Sequence, residues 1–356
     1  MTSLFAPVAG SLMEAEIAEQ PERWIDLVSS QREAIEAAAA LITSAAPQLI
    51  VFAARGSSDH AAMYGQYLCH NLLGIPALLS TPSTVTAFDT HLSYPKSVML
   101  AVSQSGESPD LLATVLSAKS TGVPVIGFTN SATSTLSGLS DVHVDLSAGP
   151  ELSVAATKTY TAEIIALYAV LAAASGQDYA TIESAVTMAS DDARKVTAST
   201  DKSMEAVAAS LVEDQKVLVI GRGYSMSSAR EGALKLMETN GIAASGWSAA
   251  DATHGPLGQV GANTPVVALT ASPGGRDSVL TFADAAAQLG ARIVALGPVA
   301  GRDDFDSAWN GDVSTVDELL PALEIIPLQL LALKLARLRG LDPDTPAGLK
   351  KVTLTN

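Results

Sequence analysis

The sequence predicts an α/β protein of two similar units in tandem, each a parallel sheet with helices on both faces in a three-layer, flavodoxin-like arrangement. Three observations lead to this prediction. The short apolar runs are continuous rather than alternating, as in strands that are buried on both faces. Helical stretches separate these runs, which makes successive strands parallel. An internal repeat with an offset of 167 residues relates the two halves of the 356-residue chain.

The apolar runs and helical stretches define the predicted elements in order along the chain. In the first half we expect strands at 49–54, 76–80, 97–102 and 123–128, with helices at 59–72 and 109–121. In the second half we expect strands at 216–220, 265–270 and 292–297. The polar stretch 176–205 is expected to join the halves as a helix, and a C-terminal helix is expected near 322–339.

The repeat is visible in two separated segments that share one offset. The segment QLIVFAARGSSDHAA at 48–62 aligns with QKVLVIGRGYSMSSA at 215–229, which pairs Gly56 with Gly223. At the same offset, SVMLAVSQSG at 97–106 aligns with TPVVALTASP at 264–273. A general likeness among α/β segments explains the apolar pattern but not the shared offset. We therefore interpret the halves as products of a duplication.

Charge and composition argue against several classes of function. Lys and Arg number 21 against 37 Asp and Glu, so we expect neither a nucleic-acid nor a membrane partner. Cys69 is the single cysteine, which excludes an intramolecular disulfide and suits a reducing cytoplasm. We expect no membrane span, because the longest apolar run noted, Ile164 to Ala174, is too short, and we expect no signal peptide. These features predict a cytoplasmic protein.

The loop that follows the strand at 97–102 has the features of an anion site. It supplies three hydroxyls beside a carboxamide, then Gly106 for a sharp turn and an expected helix start at Pro109. Hydroxyls and free amide groups at a helix N-terminus, at the carboxyl end of a parallel strand, bind anions without a lysine. An ordinary capped loop explains the same residues equally well when they are taken alone. The candidate ligands are Ser103, Gln104, Ser105 and Ser108.

Motifs for common cofactors are incomplete in this sequence. Gly221 and Gly223 begin a dinucleotide fingerprint, but Met226 stands in place of its third glycine. The five histidines lack the spacing of metal ligands. We therefore expect no nucleotide, metal or redox cofactor.

The helix expected after Gly223 carries charges on one face. Glu231, Lys235 and Glu238 follow one another at i, i+4 and i+7. A solvated stripe with a Glu–Lys pair is the usual explanation of this spacing. The helix leads out of a ligand-type loop and apolar residues surround the charges, so a set that faces a pocket is the alternative.

Together these motifs resemble the sugar isomerase (SIS) domain family, and within it the isomerase half of the glucosamine-6-phosphate synthases. The likeness covers nearly the whole chain and extends to the SIS-type glucosamine-6-phosphate deaminases. The motifs occur in the family's order: MEAEIAEQP (13–21), RGSS, SQSGES, ELSVAATKTYT (151–161), GRG, EGALKLME, the HGP turn and the LKKVT tail.

The resemblance implies two SIS domains and a phosphosugar substrate. It places a helical extension at 1–30, a phosphate-binding domain at 31–190, a domain with catalytic residues at 200–340 and an active-site tail at 341–356. By this resemblance the phosphate is held by the serine loop and by the Gly-x-Ser turn: Gly56, Ser57, Ser58, Ser103, Gln104, Ser105 and Ser108.

The same resemblance implies the catalytic residues. Glu238 would move a proton between C1 and C2 of the sugar, and His254 would open the sugar ring from the neighbouring subunit of a homodimer. Lys351, with Lys350 as the alternative, would form a Schiff base with the ketose. Three further residues would support or line the site: Glu231, Lys235 and Val154.

The chain also departs from the synthase pattern. It begins Met1-Thr2 rather than with the nucleophilic cysteine of a glutaminase domain, so we expect no release of ammonia from glutamine. We therefore expect conversion of glucosamine 6-phosphate to fructose 6-phosphate and ammonia. The alternatives are ammonia-dependent synthesis, a deglycase or isomerase for another phosphorylated amino sugar, and a non-enzymatic sugar-phosphate sensor. Ala156, Asp251 and Thr253 depart from the family's motifs, so the sequence does not specify which sugar is the substrate.

Overall fold

The structure is a computed structural model that describes residues 8–299, 301–302 and 305–351. The elements of the first half are α1 (Ser11–Ser30), α2 (Arg32–Ala45), β1 (Leu49–Ala53), α3 (Ser57–Leu68), β2 (Ala77–Leu79), α4 (Ser83–Thr86), β3 (Ser97–Ser103), α5 (Pro109–Ser120), β4 (Val125–Thr129), α6 (Thr135–Leu139), β5 (Val142–Asp145) and α7 (Lys158–Ala174). Those that follow are α8 (Tyr179–Leu211), β6 (Lys216–Gly221), α9 (Ser225–Asn240), β7 (Ala243–Ser248), α10 (Ala249–Ala252), β8 (Pro265–Leu269), α11 (Pro273–Gln288), β9 (Arg292–Leu296), β10 (Asp306–Trp309) and α12 (Leu320–Leu338).

The strands form two parallel five-stranded sheets. The first sheet has the order β2-β1-β3-β4-β5 and the second has the order β10-β9-β8-β6-β7. Every neighbouring pair is parallel. When the strands are counted within each half, both sheets have the flavodoxin-like order 2-1-3-4-5. The predicted fold class is therefore confirmed, and the shared strand order supports the duplication.

The predicted strands and helices are present, with strand ends that shift by at most two residues. The sequence analysis did not predict β5, β7 and β10. All three are edge strands, and each has several partly or fully exposed residues. An edge strand can be covered less completely, and these three lack the continuous apolar run that identifies a central strand.

The helix α8 joins the two halves, as predicted, and it packs against α1 and α12. It runs from Tyr179 to Leu211 and so passes through both of the domain limits at 190 and 200 that the sequence suggested. Those domain limits stay predictions. Residues 1–7 of the predicted extension and 352–356 of the predicted tail lie outside the described residues.

The segment Asp317–Leu338, which contains α12, corrects the expectation that no apolar segment has the length of a membrane span. Its length and the mean hydropathy of 1.7 in its most apolar 18-residue window would allow a helix to cross a membrane, but 94% of that window is buried inside the protein. Its polar side chains Glu324 and Gln329 are buried and hydrogen-bonded to other elements. Burial among the other helices accounts for its apolar composition.

Candidate active site

A cavity of about 340 Å³ lies at the carboxyl ends of β1 and β3. This volume falls in the range of small-molecule sites. Loops of the first half, helix α9 of the second half and the C-terminal tail all contribute to its wall. Ten residues selected from the sequence line it: Gly56, Ser57, Ser58, Ser103, Gln104, Ser105, Ser108, Val154, Glu238 and Lys351.

The loop between β3 and α5 presents hydroxyl groups to this cavity. Ser103 Oγ accepts the Gly106 N–H at 3.0 Å and Ser105 Oγ accepts the Glu107 N–H at 3.3 Å, so both hydroxyl protons stay available for a ligand. Ser108 stands at the N-cap of α5 but makes no side-chain capping bond. It lines the cavity.

Gly106 shapes this loop for a steric reason. Its φ is +67°, and an added Cβ would lie 2.5 Å from Ser134 Oγ. A side chain there would both strain the backbone and collide with the neighbouring turn. The loop conformation that exposes the serine hydroxyls therefore depends on glycine at this position.

Arg55 adds a cation that the sequence analysis did not assign to the site. It lines the cavity just before the Gly-x-Ser turn, and its Nε donates to Asp110 Oδ2 at 2.6 Å. Its side chain is 45% exposed, so the guanidinium keeps donors for an anionic ligand. The available signal was the repeat, in which Arg55 and Arg222 both precede a turn glycine.

Ser58 has a partner that the sequence did not predict. Its Oγ lies 2.6 Å from Oε1 of Glu163, a buried carboxyl on α7 that also lines the cavity. Burial raises the pKa of Glu163 well above its ordinary value. A protonated Glu163 can donate this hydrogen bond and leave the Ser58 proton for a ligand.

The charges on α9 form a buried cluster rather than a solvated stripe. Lys235 Nζ lies 3.2 Å from Glu231 Oε1 and 2.5 Å from Glu238 Oε2. Glu231 and Lys235 are fully buried behind the cavity wall, whereas Glu238 is 23% exposed and lines the cavity. The alternative in which this face borders a pocket is therefore the one observed.

The two carboxylates keep Lys235 charged. Burial by itself would lower the pKa of Lys235, but Glu231 and Glu238 outweigh it and raise the pKa above the ordinary value. Burial would likewise raise the pKa of Glu231, and Lys235 with His60 outweighs it and lowers that pKa. The cluster therefore carries an ammonium between carboxylates next to the cavity.

Helix α3 of the first half closes this cluster. Ser57 Oγ donates to Glu231 Oε1 at 2.9 Å, and His60 Nδ1 lies 2.8 Å from Glu231 Oε2. Sequence reasoning missed His60, because a lone histidine carries no motif and its partner lies 171 residues away.

The C-terminal tail reaches the opposite wall. Lys351 Nζ donates to Glu151 Oε2 and to the Ser153 carbonyl oxygen, both at 2.8 Å. Glu151 is buried and accepts two backbone N–H groups; burial would raise its pKa, but Lys351 and these donors lower it. Lys350 also lines the cavity, but Lys351 is the lysine with the buried carboxylate partner.

His254 lies outside the cavity of this single chain. It follows α10 in an exposed turn, and the cavity-lining residues include no histidine. The expected contribution from a neighbouring subunit stays a prediction. Within the described ranges, no three His, Cys, Asp or Glu side chains are grouped as a metal site would require.

The fold and the cavity define a duplicated α/β protein with a small hydroxyl-lined site between its halves. The sequence profile of the SIS domain matches residues 44–173 and 210–337. The chain therefore belongs to the SIS domain family and contains the domain twice.

Comparisons with individual proteins agree with this family. The chain is 35% identical over 349 residues to the glutamine–fructose-6-phosphate aminotransferase (isomerizing) of Thermococcus kodakarensis, covering 95% of this chain and 57% of that protein. It therefore spans little more than half the length of this relative. The solved C-terminal domain of glucosamine-fructose-6-phosphate aminotransferase from Francisella tularensis has a TM-score of 0.82 at 26% identity, covering 94% of this chain and 98% of that one. Glucosamine-6-phosphate deaminase from Thermotoga maritima shares the fold, with a TM-score of 0.78 at 19% identity over 97% of this chain and 100% of that one.

Proposed function

We propose that the protein is a phosphosugar aldose–ketose isomerase that converts glucosamine 6-phosphate to fructose 6-phosphate and ammonia. The observation that carries this proposal is the cavity, where Glu238 and the serine loop line one small space. A proton-transfer group and an anion cradle at a fixed separation are what isomerisation of a phosphorylated sugar requires.

The phosphate is bound by the first half of the chain. Ser103 and Ser105 donate their hydroxyl protons, and the N-terminus of α5 supplies backbone N–H groups. Arg55 adds positive charge at the rim. Because the net charge of the chain is −16, this local set of donors offsets the long-range repulsion of a phosphate.

Proton transfer is performed by Glu238. It removes the proton from C2 of the open-chain amino sugar and returns it to C1, while a second proton passes from the amine nitrogen to O1, so that the aldehyde becomes a primary alcohol and the amine becomes an imine at C2. The Lys235 ammonium lies 2.5 Å from Glu238 Oε2, next to the group that accepts the proton. Water then adds to the imine and releases ammonia, leaving the ketone of fructose 6-phosphate.

Lys351 acts at the ketose end of the reaction. After the Lys351 ammonium loses a proton to water, its amine adds to the C2 carbonyl and loses water to form a Schiff base, and water hydrolyses this bond again when fructose 6-phosphate leaves. His254 of a second copy serves the ring oxygen during ring opening. In this arrangement the active unit is a homodimer, with each site completed by its partner.

The direction of the reaction depends on the concentration of ammonia. Cys69 is buried away from the cavity, and burial raises its pKa, so it is not a nucleophile for glutamine. Hydrolysis of the imine is favoured when ammonia is dilute. At high ammonia the same site would form glucosamine 6-phosphate, the reverse reaction.

A coupled assay of ammonia release and fructose 6-phosphate formation tests the proposal. The panel contains glucosamine 6-phosphate, its mannose and galactose isomers, glucose 6-phosphate and a 6-phosphofructose–lysine adduct. We expect ammonia and fructose 6-phosphate in equal amounts from glucosamine 6-phosphate, and loss of both with Glu238→Gln. Turnover of glucose 6-phosphate alone would show a plain isomerase, and binding of phosphosugars without any turnover would favour a sensor.

A further inference from the structure

We propose that His60 is a positioning residue for proton transfer: its Nδ1–H fixes the buried Glu231 carboxylate, and Glu231 in turn leaves the Lys235 ammonium directed at Glu238. This inference rests on the proposed function, in which Glu238 moves the proton. His60 is not among the site residues that the sequence suggested, and it does not line the cavity.

The contact between His60 and Glu231 is short and sheltered. The Nδ1 atom lies 2.8 Å from Glu231 Oε2, and the histidine side chain is 16% exposed while that of Glu231 is fully buried. Because Glu231 is held as a carboxylate, it can only accept hydrogen bonds. The Nδ1 atom must therefore carry the proton, and a neutral imidazole is sufficient for this role.

Glu231 distributes its two oxygens between two elements. Oε2 contacts His60 Nδ1. Oε1 accepts a hydrogen bond from Ser57 at 2.9 Å and lies 3.2 Å from Lys235 Nζ. The closer partner of Lys235 is Glu238, at 2.5 Å. With Oε2 already satisfied by His60, Glu231 competes weakly for the ammonium, which stays next to Glu238.

Removal of the His60 imidazole would change which groups contact the two oxygens of Glu231. The buried Oε2 would lose its donor, and an unsatisfied buried carboxylate oxygen is costly. Lys235 is the cation already bound to Glu231, so it would shift toward that carboxylate and away from Glu238. The Glu238 carboxylate would then lose its neighbouring cation, and we expect the activity to fall off at a higher pH on acidification.

Charged groups near the His60–Glu231 pair lie on α3, α7 and α9, and Glu163 on α7 interacts electrostatically with Glu231 and Lys235. On α3, Asp59 is the neighbour of His60; burial raises the pKa of Asp59, and His60, Arg55 and Arg230 partly oppose that rise. Helix α9, packed against α3, contributes Arg230 together with Glu231 and Lys235. Of these groups, Glu231 is the one in direct hydrogen-bond contact with the imidazole.

Two substitutions separate positioning from bulk structure. His60→Leu removes the donor, and His60→Asn restores an N–H close to the position of Nδ1. For His60→Leu we expect the acidic limb of kcat/KM to move up by about one pH unit, since loss of an adjacent opposite charge has an effect of that size. We expect kcat at neutral pH to fall about tenfold with KM changed less than threefold. His60→Asn should return the limb toward its wild-type position, and His91→Leu, at an exposed histidine, is the matched control.

The proposal is overturned if the His60→Leu profile superimposes on that of the wild type, or if His60→Asn is shifted as far as His60→Leu. A second measurement does not depend on turnover. NMR of the full chain with isotope-labelled histidine reports the tautomer of each of the five histidines. A proton on Nδ1 of His60 that is protected from exchange supports the contact with Glu231, and an Nε2–H tautomer with bare Nδ1 contradicts it. Absence of isomerase activity in the wild type would refute the proposed function, while this measurement would still decide whether His60 donates to Glu231.

Discussion

The second half of the chain contains a counterpart of the Ser58–Glu163 pair, and its carboxyl permits a quantitative prediction. Glu324 on α12 is fully buried, and Ser225 Oγ donates to its Oε1 at 3.0 Å. Burial raises the pKa of Glu324 to about 8, and hydrogen bonds from Ser225, Ser272 and Ala271 only partly oppose the rise.

The sign of the effect follows from proton binding. The unfolded chain ionises Glu324 near the ordinary value of 4.5, whereas the folded chain keeps it protonated up to about pH 8. Between these values the folded state binds the extra proton, so the free energy of unfolding falls as pH rises. The free energy of unfolding falls by about 1.4 kcal/mol per pH unit, which amounts to about 3 kcal/mol between pH 5 and pH 7.

The substitution Glu324→Gln removes this dependence, because glutamine keeps the shape and cannot ionise. Equilibrium urea unfolding of wild type and variant at pH 5, 6 and 7 measures the difference in free energy of unfolding at each pH. We expect the variant to gain about 3 kcal/mol relative to wild type over this range. Glu33→Gln, at an exposed glutamate, is the control and should show no such gain. A difference between Glu324→Gln and wild type that is constant with pH would refute the reasoning.

Three further predictions concern the cavity. The double substitution Ser103→Ala and Ser105→Ala should raise KM for the phosphorylated substrate, since each lost bond to phosphate costs about 1.5–3 kcal/mol, as steady-state kinetics will measure. Glu238→Gln should lower isomerisation by roughly 10²–10⁴-fold and abolish exchange of solvent deuterium into the sugar, while calorimetry still detects phosphosugar binding. Mixing inactive Glu238→Gln chains with inactive His254→Ala chains should restore activity up to about half of the wild-type value per mixed dimer, because one site then has both functional groups.

Each of these three predictions has a result that contradicts it. If KM is unchanged in the serine variant and circular dichroism shows an intact fold, Ser103 and Ser105 do not bind the phosphate. If the Glu238→Gln variant exchanges solvent deuterium at the wild-type rate, Glu238 does not transfer the proton. If subunit exchange is verified by mass spectrometry and no activity returns, His254 does not act across a subunit boundary.

The sequence by itself determined the fold class and most of the cavity wall. Central strands of a parallel sheet must be apolar on both faces, so continuous apolar runs in the sequence identified these strands and the repeat. The hydroxyl loop and the α9 spacing were also local patterns, because a helix places i, i+4 and i+7 on one face. The edge strands β5, β7 and β10 were not predicted, because partly exposed strands need not be apolar on both faces.

Only the tertiary structure decided the partners of these groups. His60 meets Glu231 across 171 residues and Glu151 meets Lys351 across 200, so no local spacing encodes either contact. The choice between a solvated stripe and a buried cluster on α9 likewise depended on which helix covers that face. Packing of α3 against α9 excludes water there, and this burial converts an ordinary Glu–Lys pair into a charge network beside the cavity.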